Sequence, residues 1–172
     1  MVNDMVIPDR WVLSLPLEVE AALVMGEYQS TGLPLPIQVA HAGKALDLGT
    51  TALGVWIATE KAAALLQSVA PDDVQRIPAH LPGRDETYEV IDIVPRLDCL
   101  DPRSVVDEGP PYAGGLVAVV DAVIDAGKVG HDRVFRLSRS PLFTVVDDRV
   151  RSALTEAGVV GPTFLQLTVC YR

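Results

Sequence analysis

Cysteine is nearly absent from this chain, and most other markers of a staple or a cofactor are missing with it. Cys99 and Cys170 stand 71 positions apart in 172 residues and form no CxxC, so neither a zinc ribbon nor a dithiol redox centre is encoded. His41, His80 and His131 are isolated, with no second ligand at helical or hairpin spacing. G-x-G-x-x-G, P-loop, G-x-S-x-G and H-E-x-x-H patterns do not occur, which removes the common signatures of nucleotide binding, serine hydrolysis and zinc proteolysis. No metal and no cofactor is expected. No apolar run reaches the roughly 18–20 residues that span a bilayer. The opening MVNDMVIPDR lacks the basic region, continuous apolar region and small-residue cleavage site of a secretory leader. A soluble, cytoplasmic protein is expected, and in that compartment no disulfide between the two cysteines.

Basic residues are also scarce: 14 Lys and Arg face 23 Asp and Glu, for a net charge of −9. The imbalance is local. Residues 85–125 hold ten acids against two bases, whereas residues 126–172 hold four acids against seven bases. Such a chain repels nucleic acid and anionic membranes and attracts a basic partner. The same charge also confers plain solubility, and charge alone does not separate the two. Hydrophobic residues make up 49% of the chain and the mean hydropathy is +0.27, enough for a real core. One domain over residues 1–172 is expected, with lobes 1–86 and 87–172 as a possible division.

Two strand–helix–strand patterns carry the clearest local signal. In the first, Val55–Ala58 reads as a strand and Thr59 as a helix N-cap, with Glu60 in the first turn. Apolar residues then recur at Ala62, Leu65, Leu66 and Val69, one helix face. The helix ends at Ala70–Pro71, a strand resumes over Val74–Ala79, and LPGRDE (81–86) makes a turn. Eighty-eight positions later the order returns. Phe143–Val146 is a strand, Asp147 the cap, and Val150, Ala153, Leu154 and Ala157 the face. Gly158 stands at the left-handed position after the helix, and Thr163–Val169 is the returning strand. The fold class is therefore α+β, with short amphipathic helices on mixed or antiparallel sheets.

Elsewhere, Arg10–Leu15 is a short strand, Glu18–Met25 a helix stopped by Gly26, and Leu33–Ile37 an extended edge segment set by its alternate prolines. Trp11 is a packing anchor. Asp101–Gly115 reads as a polar loop with three prolines and three glycines. Leu116–Ile124 is a buried strand or a short helix, its valines favouring strand, and Asp132–Leu137 is a further strand.

Between the two units lies YEVIDIVPRLDCLD (88–101), a strand stopped by Pro95 and closed by Asp98, Cys99 and Asp101. Asp92, Asp98 and Asp101 are the strongest enzymatic candidates, since paired carboxylates hold divalent cations or act as acid and base when the fold brings them together. Their spacing of three and six fits no recognised metal loop. Asp98 and Asp101 equally suit turns around Pro102, capping backbone N–H groups. Asp92 puts a charge on the strand face of Tyr88, Val90 and Val94, so it requires a partner or water. Cys99 has no base beside it and reads as buried and inert.

In order, AHAGKALDLGTTALGVWIATEKAAALL, APDDVQRIP, YEVIDIVPRLDCLD, VFRL and VVDDRVRSALTEAGVVGPTF span about residues 33–165. Together they resemble the immunity-domain family of bacterial polymorphic-toxin systems, a myxobacterial-type group of small cytoplasmic antitoxins. Two positions depart from the family pattern, which often has Asn at Asp92 and Ser at Asp147. The resemblance implies a non-enzymatic protein that binds and neutralises a cognate toxin, and the acidic charge suits a basic toxin directed at nucleic acid. The acidic middle is then the expected contact surface, with Asp101, Asp107 and Glu108 as exposed members and Asp98 and Asp92 beside them. The competing readings are a carboxylate enzyme using Asp92, Asp98 and Asp101, and a module that recognises a small ligand.

Overall fold

The computed structural model describes the backbone of residues 2–3, 9–112 and 116–171, and the side chains of residues 9–107 and 118–171. The chain opens with strands β1 (Val2–Asn3) and β2 (Val12–Ser14), helix α1 (Leu17–Met25), then β3 (Leu35–Pro36), β4 (Gln38–His41), β5 (Leu48–Thr50) and β6 (Trp56–Thr59). Helix α2 (Glu60–Val69) follows directly, then β7 (Val74–His80), β8 (Tyr88–Ile93), β9 (Arg96–Leu97), β10 (Val105–Tyr112) and β11 (Leu116–Asp121). The last third holds β12 (Val123–Asp125), a 3-10 turn (Ala126–Lys128), β13 (Val134–Leu137), β14 (Ser140–Val146), helix α3 (Asp148–Glu156), β15 (Thr163–Phe164) and β16 (Thr168–Cys170). The class is α+β.

A five-stranded mixed sheet, β3-β7-β8-β6-β5, forms the centre. Only its β3–β7 edge is parallel; β7, β8, β6 and β5 pair antiparallel. Period-two alternation sends successive side chains to opposite faces. Tyr88 and Val90 join Trp11, Leu23, Ile57 and Ile77 on one side. Ile91 and Ile93 join Trp56, Leu66, Val150 and Leu154 on the other. Both faces are covered, which is why β8 reads as a nearly continuous apolar run. Trp11 packs edge-on against Tyr88 with ring centroids 5.6 Å apart, the anchoring role expected of it.

Helices α2 and α3 lie together in the second of these clusters. Thr59 Oγ1 accepts the Ala62 N–H at 3.4 Å, and Asp147 Oδ1 accepts the Val150 N–H at 2.9 Å. Each cap thus satisfies a first-turn donor that the helix itself leaves open. Gly158 takes φ +66°, and Val159 N–H and Gly158 N–H return to the carbonyls of Leu154 and Thr155, closing α3 in a Schellman turn.

The pseudo-repeat stops at the helices. The strand expected over Thr163–Val169 is instead two short pieces, β15 against β1 and β16 parallel to β12. Alternation alone does not supply a neighbour to pair with, and residues 165–167 run irregularly between the two. The second cluster also joins residues from both sides of the 86/87 boundary, Ala62 and Leu66 with Ile91, Val134 and Leu154.

Two more expectations change. Asp101–Gly115 is not all loop: β10 covers Val105–Tyr112 and pairs with β11 as a separate two-stranded ribbon. Pro110 and Pro111 are compatible with this because a two-stranded ribbon leaves half its backbone groups outside the ladder. Leu116–Ile124 is strand, as its valines indicate, but it breaks at Ala122, and Val120 is 70% exposed. A third, smaller cluster of Cys99, Ile124, Phe135, Leu137 and Val145 lies under β13 and β14. These strands form a sheet β14-β13-β9, parallel between β13 and β9.

Candidate functional site

The five carboxylates singled out in the sequence fall into three settings. Asp98 and Asp107 are exposed. Glu108 follows on the same strand, and its side chain lies outside the described residues. Asp101 and Asp92 are buried, against the expectation that Asp101 is a surface residue.

Asp101 is 2% exposed because the chain turns around it. Its Oδ1 accepts the backbone N–H of Arg103 at 2.9 Å and the Arg103 Nε–H at 2.8 Å. Its Oδ2 accepts the Cys170 thiol at 3.1 Å. The turn role foreseen around Pro102 is thus the one Asp101 fills, and it also ties the loop to β16. Bonds from the Arg103 side chain, its backbone N–H and Cys170 hold this carboxyl well below the usual carboxylate range, since all three favour the charged form. A carboxylate so held does not donate a proton near neutral pH.

Asp92 is on the face of β8 shared with Tyr88 and Val90, and its nearest cation, Arg96 Nη2, is 3.9 Å away. That is too long for a hydrogen bond. Burial raises its pKa, and the charges of Arg96 and Arg136 only partly oppose the shift. Arg96 spends its hydrogen bonds elsewhere, on the carbonyls of Leu23, Val24 and Val94. Two of these belong to the last turn of α1, where a cation suits the helix dipole. Arg136, fully buried in β13, donates to the carbonyls of Pro141 at 2.6 Å and Gly54 at 2.9 Å. Burial brings its pKa down to about 10. An arginine inside the apolar strand VFRL signals in sequence that carbonyls or acids must await it. Arg96 carries no such signal.

Cys99 is buried in the third cluster, and burial pushes its thiol up to about 11, as expected of an inert cysteine. Both cysteines are free. Among the described residues no three His, Cys, Asp or Glu side chains gather as a metal site. None of their helices is long and apolar enough to cross a membrane.

Two adjoining clefts open on the side of the acidic ribbon. The smaller, about 230 Å³, runs between β11, the β13–β14 pair and residues 165–167, and among its lining are Val119, Val120, Phe143 and Leu165. Among the described residues Asp121 is its one charged lining residue. The larger, about 1050 Å³, shares Val145, Leu165, Gln166 and Leu167 with it and continues to the start of α3, past Arg133, Asp148, Arg149 and Arg151. Exposed apolar side chains, Val120, Leu142, Leu165, Val169 and Tyr171, belong to the last third of the chain. Neither cleft gathers an acid–base pair from Asp92, Asp98 and Asp101, none of which lines it.

The immunity protein family Imm11 matches residues 14–169 of the chain. No curated protein matches it. The match covers nearly all of the sequence, and the chain belongs to the Imm11 immunity protein family.

Proposed function

We propose that this immunity protein neutralises a cognate toxin by binding it, with the acidic ribbon and the neighbouring apolar cleft as the contact surface. The family membership over residues 14–169 is the observation that carries the reading. Asp98, Asp107 and Asp121 are exposed around β10 and β11, with Glu108 next on the strand, and they steer a basic partner toward the surface. Charge of this kind acts mainly on the association rate and weakens with salt. The smaller cleft supplies desolvated apolar contact, the part of an interface that holds a complex together. Asp101 acts from beneath, holding the turn that leads into β10. A basic toxin that attacks nucleic acid is the partner whose cleft such a surface complements.

The test co-expresses the toxic domain encoded beside this gene with and without this protein. Restored growth together with co-purification supports immunity by binding. Continued toxicity despite folded protein rejects it. Association rates then address the surface. Lysine at Asp98, Asp107 and Asp121 slows binding at low ionic strength and leaves the melting temperature of the free protein nearly unchanged. Wild-type rates in that variant place the interface elsewhere and leave the immunity reading standing.

A further inference from the structure

We propose that Asp92, Arg136 and Thr144 together bind one ordered water molecule in the seam between the two larger sheets. Asp92 Oδ1, Arg136 Nε and Thr144 Oγ1 are buried and make no hydrogen bond to any protein atom. Their residues are 9%, 1% and 2% exposed. Buried polar atoms almost always have partners, so each of the three calls for one.

The sheet register brings them together. Arg136 pairs directly with Thr144 on β14 and with Arg96 on β9, so the three side chains form a row on one face. Phe135, Leu137 and Val145 occupy the opposite face, over the third cluster. Asp92 meets this row through Arg96, 3.9 Å from its Oδ1, and its charge is felt at Arg136.

The chemistry selects the occupant. The guanidinium Nε only donates, the carboxylate only accepts, and the hydroxyl does either. An anion would face the Asp92 carboxylate, and a cation would face two arginines. A neutral molecule that donates to Asp92 while accepting from Arg136 meets both demands. None of the three residues lines either cleft, and at 1–9% exposure they are shut off from bulk solvent, a setting that suits a single internal water. Three hydrogen bonds is the usual number for an internal water. Its binding completes one polar chain from the α1 carbonyls through Arg96, Asp92, the water and Arg136 to the carbonyls of Gly54 and Pro141. That chain ties the last turn of α1 to both sheets, alongside the apolar contacts of Leu23 and Val24.

A crystal structure of the full protein at high resolution tests this, with a second crystal soaked in bromide. The expected result is a single density peak about 2.7–3.2 Å from all three atoms, with no anomalous signal after soaking. A direct Asp92–Arg136 ion pair with no peak overturns the proposal, and an anomalous bromide peak replaces water with an anion. In solution, oxygen-17 relaxation dispersion counts long-lived internal waters. Thr144→Ser keeps the wild-type count and Thr144→Val has one fewer. An equal count in a folded Thr144→Val contradicts the site, and should that variant fail to fold, the crystal density decides.

Discussion

Truncating Leu154 to alanine measures whether α2 and α3 form one seam. Leu154 is 0% exposed at the centre of α3, in the cluster that also holds Ala62, Leu66, Ile91 and Val150. The change removes three carbons, about 2.4 kcal/mol of transfer free energy at about 0.8 kcal/mol each. A cavity term adds to this because the surroundings relax only in part. Here they relax little, since sheet residues such as Trp56, Ile91 and Ile93 and the two helices pin the walls. We expect a total of about 3–4 kcal/mol, within the range of about 2–5 found for buried leucines. For a chain of this length that lowers the melting temperature by roughly 6–16 °C. Urea unfolding followed by circular dichroism gives the value, read from the midpoint at an unchanged m-value. Leu66→Ala should behave alike, and the double variant should depart from additivity by about 0.5 kcal/mol or more, because neighbours in one cluster couple. A loss under about 1 kcal/mol for Leu154→Ala would falsify the packed seam and with it the equivalence of the two helices.

Other outcomes follow from single contacts. Thr59→Ala and Asp147→Ala should each cost about 0.5–2 kcal/mol in the same urea assay, with Asp147 the larger, because its bond is shorter and its charge faces the helix N-terminus. Asp92→Asn tests the buried carboxyl across pH. The folded pKa of Asp92 is raised, so its contribution to stability is full below its unfolded pKa and is lost as pH rises through the folded value. The asparagine variant should therefore gain on wild type at neutral pH, with the advantage shrinking as pH falls from the raised folded value to the ordinary aspartate range and constant below it. A gap that widens on acidification would reverse the sign and refute it. Asp101 has the opposite sign: its lowered pKa makes it stabilising above the unfolded value and less so as pH falls through the folded one. Finally, a thiol reagent applied to the native protein should label Cys170 and spare Cys99, and equal labelling would contradict the burial of Cys99.

The sequence by itself determined what depends on neighbours a few residues away. The α2 and α3 faces, the Thr59 and Asp147 caps, the turn at Gly158 and the strand at Tyr88–Ile93 rest on periodicity and local hydrogen bonds, and these act over one or two turns of chain. The family pattern was legible for the same reason, as a series of such pieces in order. The tertiary structure decided everything that needed a distant partner. Thr163–Phe164 pairs with Val2–Asn3, and Thr168–Cys170 with Val123–Asp125, so an alternating stretch that reads as one strand is divided between two. Asp101, polar and in a proline-rich stretch, has every local mark of a surface residue. It is buried because Arg103 and, from 69 residues away, Cys170 close over its carboxylate. Arg96 reaches the end of α1 from more than 70 positions along the chain. Charge and hydropathy specify what a side chain needs, whereas the fold specifies which group, far off in sequence, supplies it.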